Sequence, residues 1–369
     1  MGHIFLSFVF YNIILITFYR HYKRGEYYIK KSDLIFYTFL LIAFGVYGGG
    51  EGDYIAYKKS VEENFQTLFD VYWETSFEIQ YNYLAYALGG NYNLWRLVIY
   101  SVQFIGMSWL SYKAKMNTYP FFLSFVAICL VMSVYGRAFW GVIFYFLGVY
   151  LLIEKRNPLF LIIIALCYVS HTQNLVLIAM LPFAFIEMKK WHLLVILASL
   201  GTLVTLFQSF ITGFLDSGGI EGADHLNSKM QIYGGDEKQL GAFGDSIGEV
   251  TMFVLQHVPA VSFMTFLLVS FLKSKTQNYL AKPYRRLINI TFILMIAAFV
   301  VLFARIGSGT LFYRILALYF FPISIILPYL KQVGMIKTNT FNIIIMIYIF
   351  ATELGYFKDL YYAYSGGGM

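Results

Sequence analysis

The chain has 369 residues, 59% apolar, 13% charged and 20% aromatic, with a formal net charge of +7. Soluble domains carry about 25% charged residues. This chain therefore lacks the polar surface of a water-soluble globule, and its hydrophobicity excludes disorder. Its two cysteines, Cys129 and Cys167, sit in apolar runs and give neither a disulfide framework nor a metal-ligand spacing.

Apolar runs long enough to cross a bilayer occur about twelve times. They lie near 3–19, 33–49, 94–111, 119–135, 138–153, 158–170, 174–187, 192–210, 249–272, 287–304, 312–330 and 339–353. The reading is an all-α integral membrane protein, a single polytopic domain over 1–369 with about twelve transmembrane helices and two long extracytoplasmic loops containing short helices. The first run is followed, not preceded, by Arg20-His21-Tyr22-Lys23-Arg24, the reverse of a cleavable signal peptide. It is expected to be a retained span that starts outside.

The charges sort by side. One set of loops, beginning with Arg20, Lys23, Arg24, Lys30 and Lys31 and ending with Lys331 and Lys337, holds 18 of the 27 Lys and Arg and four of the 20 acids. The opposite side holds the other nine, including Arg96, and 16 acids. The +7 thus divides into +14 on a cytoplasmic side and −7 on an outer side. It is a topology signal and not a nucleic-acid patch. An even number of spans leaves both termini extracytoplasmic. The cytoplasmic loops are short apart from 273–286, and no Gly-rich phosphate loop of the Lys-Ser/Thr type occurs. Chemistry is expected at the outer face or within the membrane.

Along the chain, the first long outer loop, 50–93, opens with Glu51-Gly52-Asp53-Tyr54 and continues with Tyr57. Tyr54, Tyr57, Val61, Phe65 and Leu68 recur at helical spacing, as do Phe77, Tyr81, Leu84 and Leu88, with Glu78 among them. Two readings fit these short helices. One is an interfacial aromatic belt with solvated acids. The other is a sugar-binding surface, in which rings cover sugar faces and carboxylates take hydroxyls.

Arg137 stands where one span ends outside and the next begins, Arg305 at the outer end of another, and Arg314 at or inside the span after that. Arginine in hydrocarbon costs at least ~2.5 kcal/mol, so such residues are functional candidates. Guanidinium is always charged and grips phosphate with paired donors. The three predict an anionic site at the outer leaflet, the alternatives being headgroup snorkelling or pairing with an outer acid. His171, in Ser170-His171-Thr172-Gln173-Asn174, is either a general base or phosphate ligand, or a hydrogen-bonded core histidine. The second outer loop, 211–248, is glycine-rich and acidic and carries Lys229 and Tyr233. It lacks EF-hand spacing, and no His/Cys cluster fits zinc, so no metal or cofactor is expected. The last residues, 365–369, read as a cloning scar.

In order and topology these features resemble the EpsG family of bacterial membrane proteins, which looks like a branch of the Wzy-type polysaccharide polymerases. The resemblance rests on Gly52-Asp53-Tyr54…Tyr57 after the second span and Phe77-Glu78…Tyr83 before the third. It continues with Arg137 opening the fifth, Ser170-His171, Lys229…Tyr233 in the large loop, and Tyr313-Arg314 opening a late span. The chain departs from the family where Ala138-Phe139-Trp140 follows Arg137 in place of the usual Gln. The resemblance implies a C-type membrane glycosyltransferase architecture. It also implies a metal-independent, inverting enzyme of the bacterial cytoplasmic membrane that joins undecaprenyl-pyrophosphate-linked glycans at the outer face, with membrane lipid and a chain-length regulator as partners.

In that chemistry, Arg137, Arg305 and Arg314 would hold the pyrophosphates, assisted by His171. Asp53 or Glu78 would be the base, with His171 as alternative. Glu51, Tyr54, Tyr57, Lys229 and Tyr233 would bind substrate. Two other classes stay open: a flippase for the same lipid, expected to show internal repeats and midplane charges, and a membrane acyltransferase that modifies surface glycans.

Overall fold

The structure is a computed structural model. It describes residues 2–48, 51–63, 79–135, 139–170, 174–186, 280–303 and 309–365, with a few isolated positions between 191 and 202. Among these residues there are only helices and one isolated bridge, Tyr28 with Thr118. The α-helices are α1 (Gly2–Lys23), α2 (Lys31–Tyr47), α3 (Glu51–Glu63), α4 (Ile79–Ala87), α5 (Tyr92–Lys113), α6 (Tyr119–Ile128) and α7 (Leu130–Tyr135). After them come α8 (Phe139–Lys155), α9 (Phe160–Ser170), α10 (Leu175–Met180), α11 (Lys282–Phe303), α12 (Gly309–Gln332) and α13 (Thr338–Ser365). The expected spans 192–210 and 249–272 lie almost wholly outside the described residues.

Local chemistry sets the helix ends. Asn91 caps α5 by accepting from Leu94 N at 3.1 Å, and Thr118 caps α6, where Pro120 sits in the first turn. Arg20, His21 and Lys23 occupy the last turn of α1, where cations complement the helix dipole. The two turns on that side are tied together. Ile29 N donates to Asn117 O at 2.8 Å, and Tyr119 N to Tyr27 O at 2.9 Å. His21 stacks on Tyr119, centroids 4.7 Å apart.

Two structural differences from the sequence reading stand out. The run 119–135 is one span by hydropathy but two helices, parted at Cys129, whose φ of −122° leaves the helical range. Just beyond the break, Ser133 Oγ turns back to the Leu130 carbonyl at 2.7 Å, a side-chain bond that competes with the backbone ladder. The run 174–187 tightens into a 3-10 turn, Leu181–Ala184, around Pro182.

Two compact units result, one of Met1–Ala179 with Phe321–Met369, the other of Met180–Phe320. In the first, α6 and most of α8 are buried on every side. Phe321 is the aromatic hub, its ring centroid 6.1–6.5 Å from those of Phe121, Phe125, Phe139 and Phe146. Around this core, the outer helices expose apolar side chains: Ile13 and Ile16 on α1, Phe36 and Phe39 on α2, Leu97 and Ile105 on α5, Ile343 and Phe350 on α13. A soluble protein avoids such a girdle, whereas a bilayer requires one. Among the described residues, Ile4–Lys23 and Thr338–Tyr361 are long and apolar enough to cross a membrane. In the second unit, the 3-10 turn packs on α11, and Arg286, Asn289 and Thr291 of α11 are buried.

Candidate functional site

The last carbonyls of a helix have no partner within it. At the end of α2 they find partners on two neighbouring helices. Gly45 O accepts from Arg96 Nη2 of α5 at 2.6 Å, and Gly48 O accepts from Ser7 Oγ of α1 at 2.7 Å. Gly45 allows this approach, since a Cβ there would lie 2.5 Å from the Tyr100 ring carbon Cγ. The chain then resumes as α3, whose first turn carries Glu51, Asp53 and Tyr54; their side chains lie outside the description. Helical register puts residues 53, 57 and 61 on one face. On that face, Tyr57 and Val61 pack against Ala85 of α4 and Tyr92 and Trp95 of α5. The Tyr57 ring is thus half-buried in protein packing, in the place where a sugar surface was expected.

Arg96 is only 4% exposed. Its guanidinium lies 5.8 Å from the ring centroids of both Tyr92 and Tyr100, within cation–π range. The sequence reading counted Arg96 only among the outward cations. The overlooked signal is a polar stripe in an apolar helix: Arg96, Tyr100 and Gln103 follow at i, i+4 and i+7 on one face. The rest of the stripe reaches α7, where Tyr100 Oη donates to Val134 O at 2.6 Å and Gln103 Nε2 to Ser133 O at 3.1 Å. Those carbonyls close the helix that leads to Arg137, which itself lies outside the described residues.

A second knot ties the end of α9 to Asn174, the residue before α10, and α8 packs against it. Ser170 Oγ donates to Cys167 O at 2.7 Å, and Asn174 Nδ2 donates to Cys167 O at 2.9 Å and to Ser170 Oγ. Ser170 and Asn174 are fully buried. His171 stands between them in the chain and lies outside the described residues. Gly141 of α8 lies against the knot. A methyl group there would overlap Ser170 Oγ and sit 2.8 Å from the Cys167 carbonyl oxygen. Gly141→Ala should therefore destabilise the folded protein by about 1–3 kcal/mol, as overpacking does. Thermal unfolding in detergent reads this directly, and a melting temperature equal to wild type would show that the knot yields freely.

The helix α4, immediately preceded by Glu78, packs against α3, α5 and α9. Through α4 and α5, the helix α3 that carries Asp53 is linked to α8 and α9, which follow Arg137 and precede His171 in the chain. Glu78 itself is outside the described residues. In the second unit, Arg314 occupies the second turn of α12 with its side chain outside the description, and Arg305, Lys229 and Tyr233 lie outside the described residues.

Comparison with curated proteins finds no match, and comparison with solved structures finds none. The family model that describes the EpsG family matches residues 30–366. On that match over nearly its whole length, the chain belongs to the EpsG family, a family of Wzy-like polysaccharide polymerases.

Proposed function

We propose that the protein is a polysaccharide polymerase that joins lipid-linked oligosaccharide repeat units at the outer face of the bacterial cytoplasmic membrane. Family membership across residues 30–366 carries this reading. The links that α4 and α5 make from α3, which carries Asp53, to α7, α8 and α9 support it. The donor is a glycan on undecaprenyl pyrophosphate, and the acceptor is a repeat unit on the same lipid. About twelve spans, a C-type glycosyltransferase architecture and outward termini belong to the proposal, as does a chain-length regulator as partner.

The reaction is a single displacement. A carboxylate, Asp53 or Glu78, with His171 as alternative, takes the proton of the acceptor hydroxyl as its oxygen bonds to the donor anomeric carbon. The bond from that carbon to the pyrophosphate oxygen breaks through an oxocarbenium-like transition state, and undecaprenyl pyrophosphate leaves with the electron pair. Arg137, Arg305 and Arg314 stabilise the growing negative charge. Glu51, Tyr54, Lys229 and Tyr233 contact the glycan, together with the uncovered edge of Tyr57.

Purified protein in nanodiscs, given lipid-linked repeat units, should produce a ladder of polymer. Arg314→Ala should slow the ladder by about 10²-fold, the loss typical of removing one charge-stabilising donor. An Arg314→Ala protein with the wild-type rate would remove Arg314 from the proposed site. Movement of the lipid-linked unit across the membrane without ladder formation would replace the polymerase by a flippase.

A further inference from the structure

The α5 stripe has an uncommon set of partners. Its three side chains bond to backbone carbonyls, and each of those carbonyls lies in the last turn of another helix. Arg96 holds Gly45 O at the end of α2, while Tyr100 and Gln103 hold Val134 O and Ser133 O at the end of α7. Helix ends fray unless such carbonyls are satisfied, and inside a membrane water cannot do it. The end of α2 leads to Glu51 and Asp53, and the end of α7 leads to Arg137. One straight helix therefore braces both exits. The rise of 1.5 Å per residue offsets the two sets of braces by about 6–10 Å along α5. Gly45 packed on the Tyr100 ring, and Tyr100 stacked on Phe104 at 6.3 Å, leave the stripe little freedom to slide.

Resting on the polymerase reading, we infer that Arg96, Tyr100 and Gln103 are positioning residues that fix the end of α2 against the end of α7 for glycosyl transfer. None of the three needs to touch substrate. They act by holding the two chain exits at a working separation, so their loss should appear in turnover before it appears in substrate affinity or fold.

The test uses the full-length protein in nanodiscs with lipid-linked repeat units. Tyr100→Phe removes one hydroxyl and keeps the ring, and Gln103→Met removes one donor at similar volume. Each should lower kcat about tenfold or more, the scale of sub-ångström to ångström misplacement. KM should stay close to wild type, and the melting temperature should fall by no more than the few degrees that one unsatisfied carbonyl costs. Arg96→Met should do the same at the α2 end, and Arg96→Lys should recover part of the loss by restoring a donor to Gly45 O. Ser108→Ala is the control. It lies on the same helix, but its hydroxyl bonds the Thr38 side chain at 2.6 Å and not a helix exit, so it should keep the wild-type kcat. Wild-type turnover in Tyr100→Phe and Gln103→Met overturns the inference. So does a loss equalled by Ser108→Ala, or one in which KM and melting temperature collapse together with kcat. Wild-type protein that makes no ladder sinks the polymerase reading itself, and the purpose assigned to the stripe falls with it.

Discussion

Asp53→Asn should cut ladder formation by about 10²–10⁴-fold, the usual contribution of a general base, while binding of the lipid-linked donor changes little. Asn matches Asp in size and keeps hydrogen bonding to neighbours, so the change isolates the capacity to accept a proton. Asp53 belongs to the first turn of α3, where the helix dipole favours a negative charge. Position 53 shares its helix face with Tyr57 and Val61, which pack on α4 and α5, so α3 cannot roll without breaking that cluster. The comparison set is Glu78→Gln and His171→Gln, measured under single-turnover conditions. The largest fall in kcat identifies the base. An Asp53→Asn rate within twofold of wild type would falsify its assignment.

Arg137→Ala should slow the chemical step by about 10²–10³-fold, the scale of removing one preorganised donor to a developing anion. In the proposed reaction the departing pyrophosphate gains charge as the glycosidic bond breaks, and a guanidinium offers it two parallel N–H donors, whereas an ammonium is a point charge. Arg137→Lys should therefore recover only part of the rate. Because the benefit is greatest in the transition state, kcat should fall more than donor affinity does. Equal kcat in the Ala and wild-type proteins would reduce Arg137 to a headgroup contact. Loss of donor binding with kcat intact would make it a docking residue and not a catalytic one.

Much of the helical architecture was legible in the residues. Runs of apolar side chains ended by charges foretold α1, α2, α5, α8, α9, α11, α12 and α13, because a helix is the only open-chain structure that satisfies its backbone in lipid. The short helices α3 and α4 followed from the spacing of Tyr57, Val61, Leu84 and Leu88, which do pack together. The break at Cys129 was not legible. Hydropathy is uniform across 119–135 and does not report the φ of −122° at which the helix parts. Gly141 was equally silent, since its role depends on Ser170 at the end of α9 and Asn174 just before α10.

For the candidate site the division is similar. Composition, charge asymmetry and motif order by themselves determined a membrane protein and the family, and named a short set of carboxylates, arginines and one histidine as candidates. Those properties are sums or orderings along the chain, and need no neighbours to be read. Only the tertiary structure decided that Arg96 is buried and bonded to the end of α2, that Tyr57 lies in protein packing, and that α5 ties the end of α2 to the end of α7. The physical reason is that a helix end satisfies its carbonyls with whatever donor the packing brings to it. That donor can be half a hundred residues away, as Arg96 is from Gly45, at a separation of 51 positions.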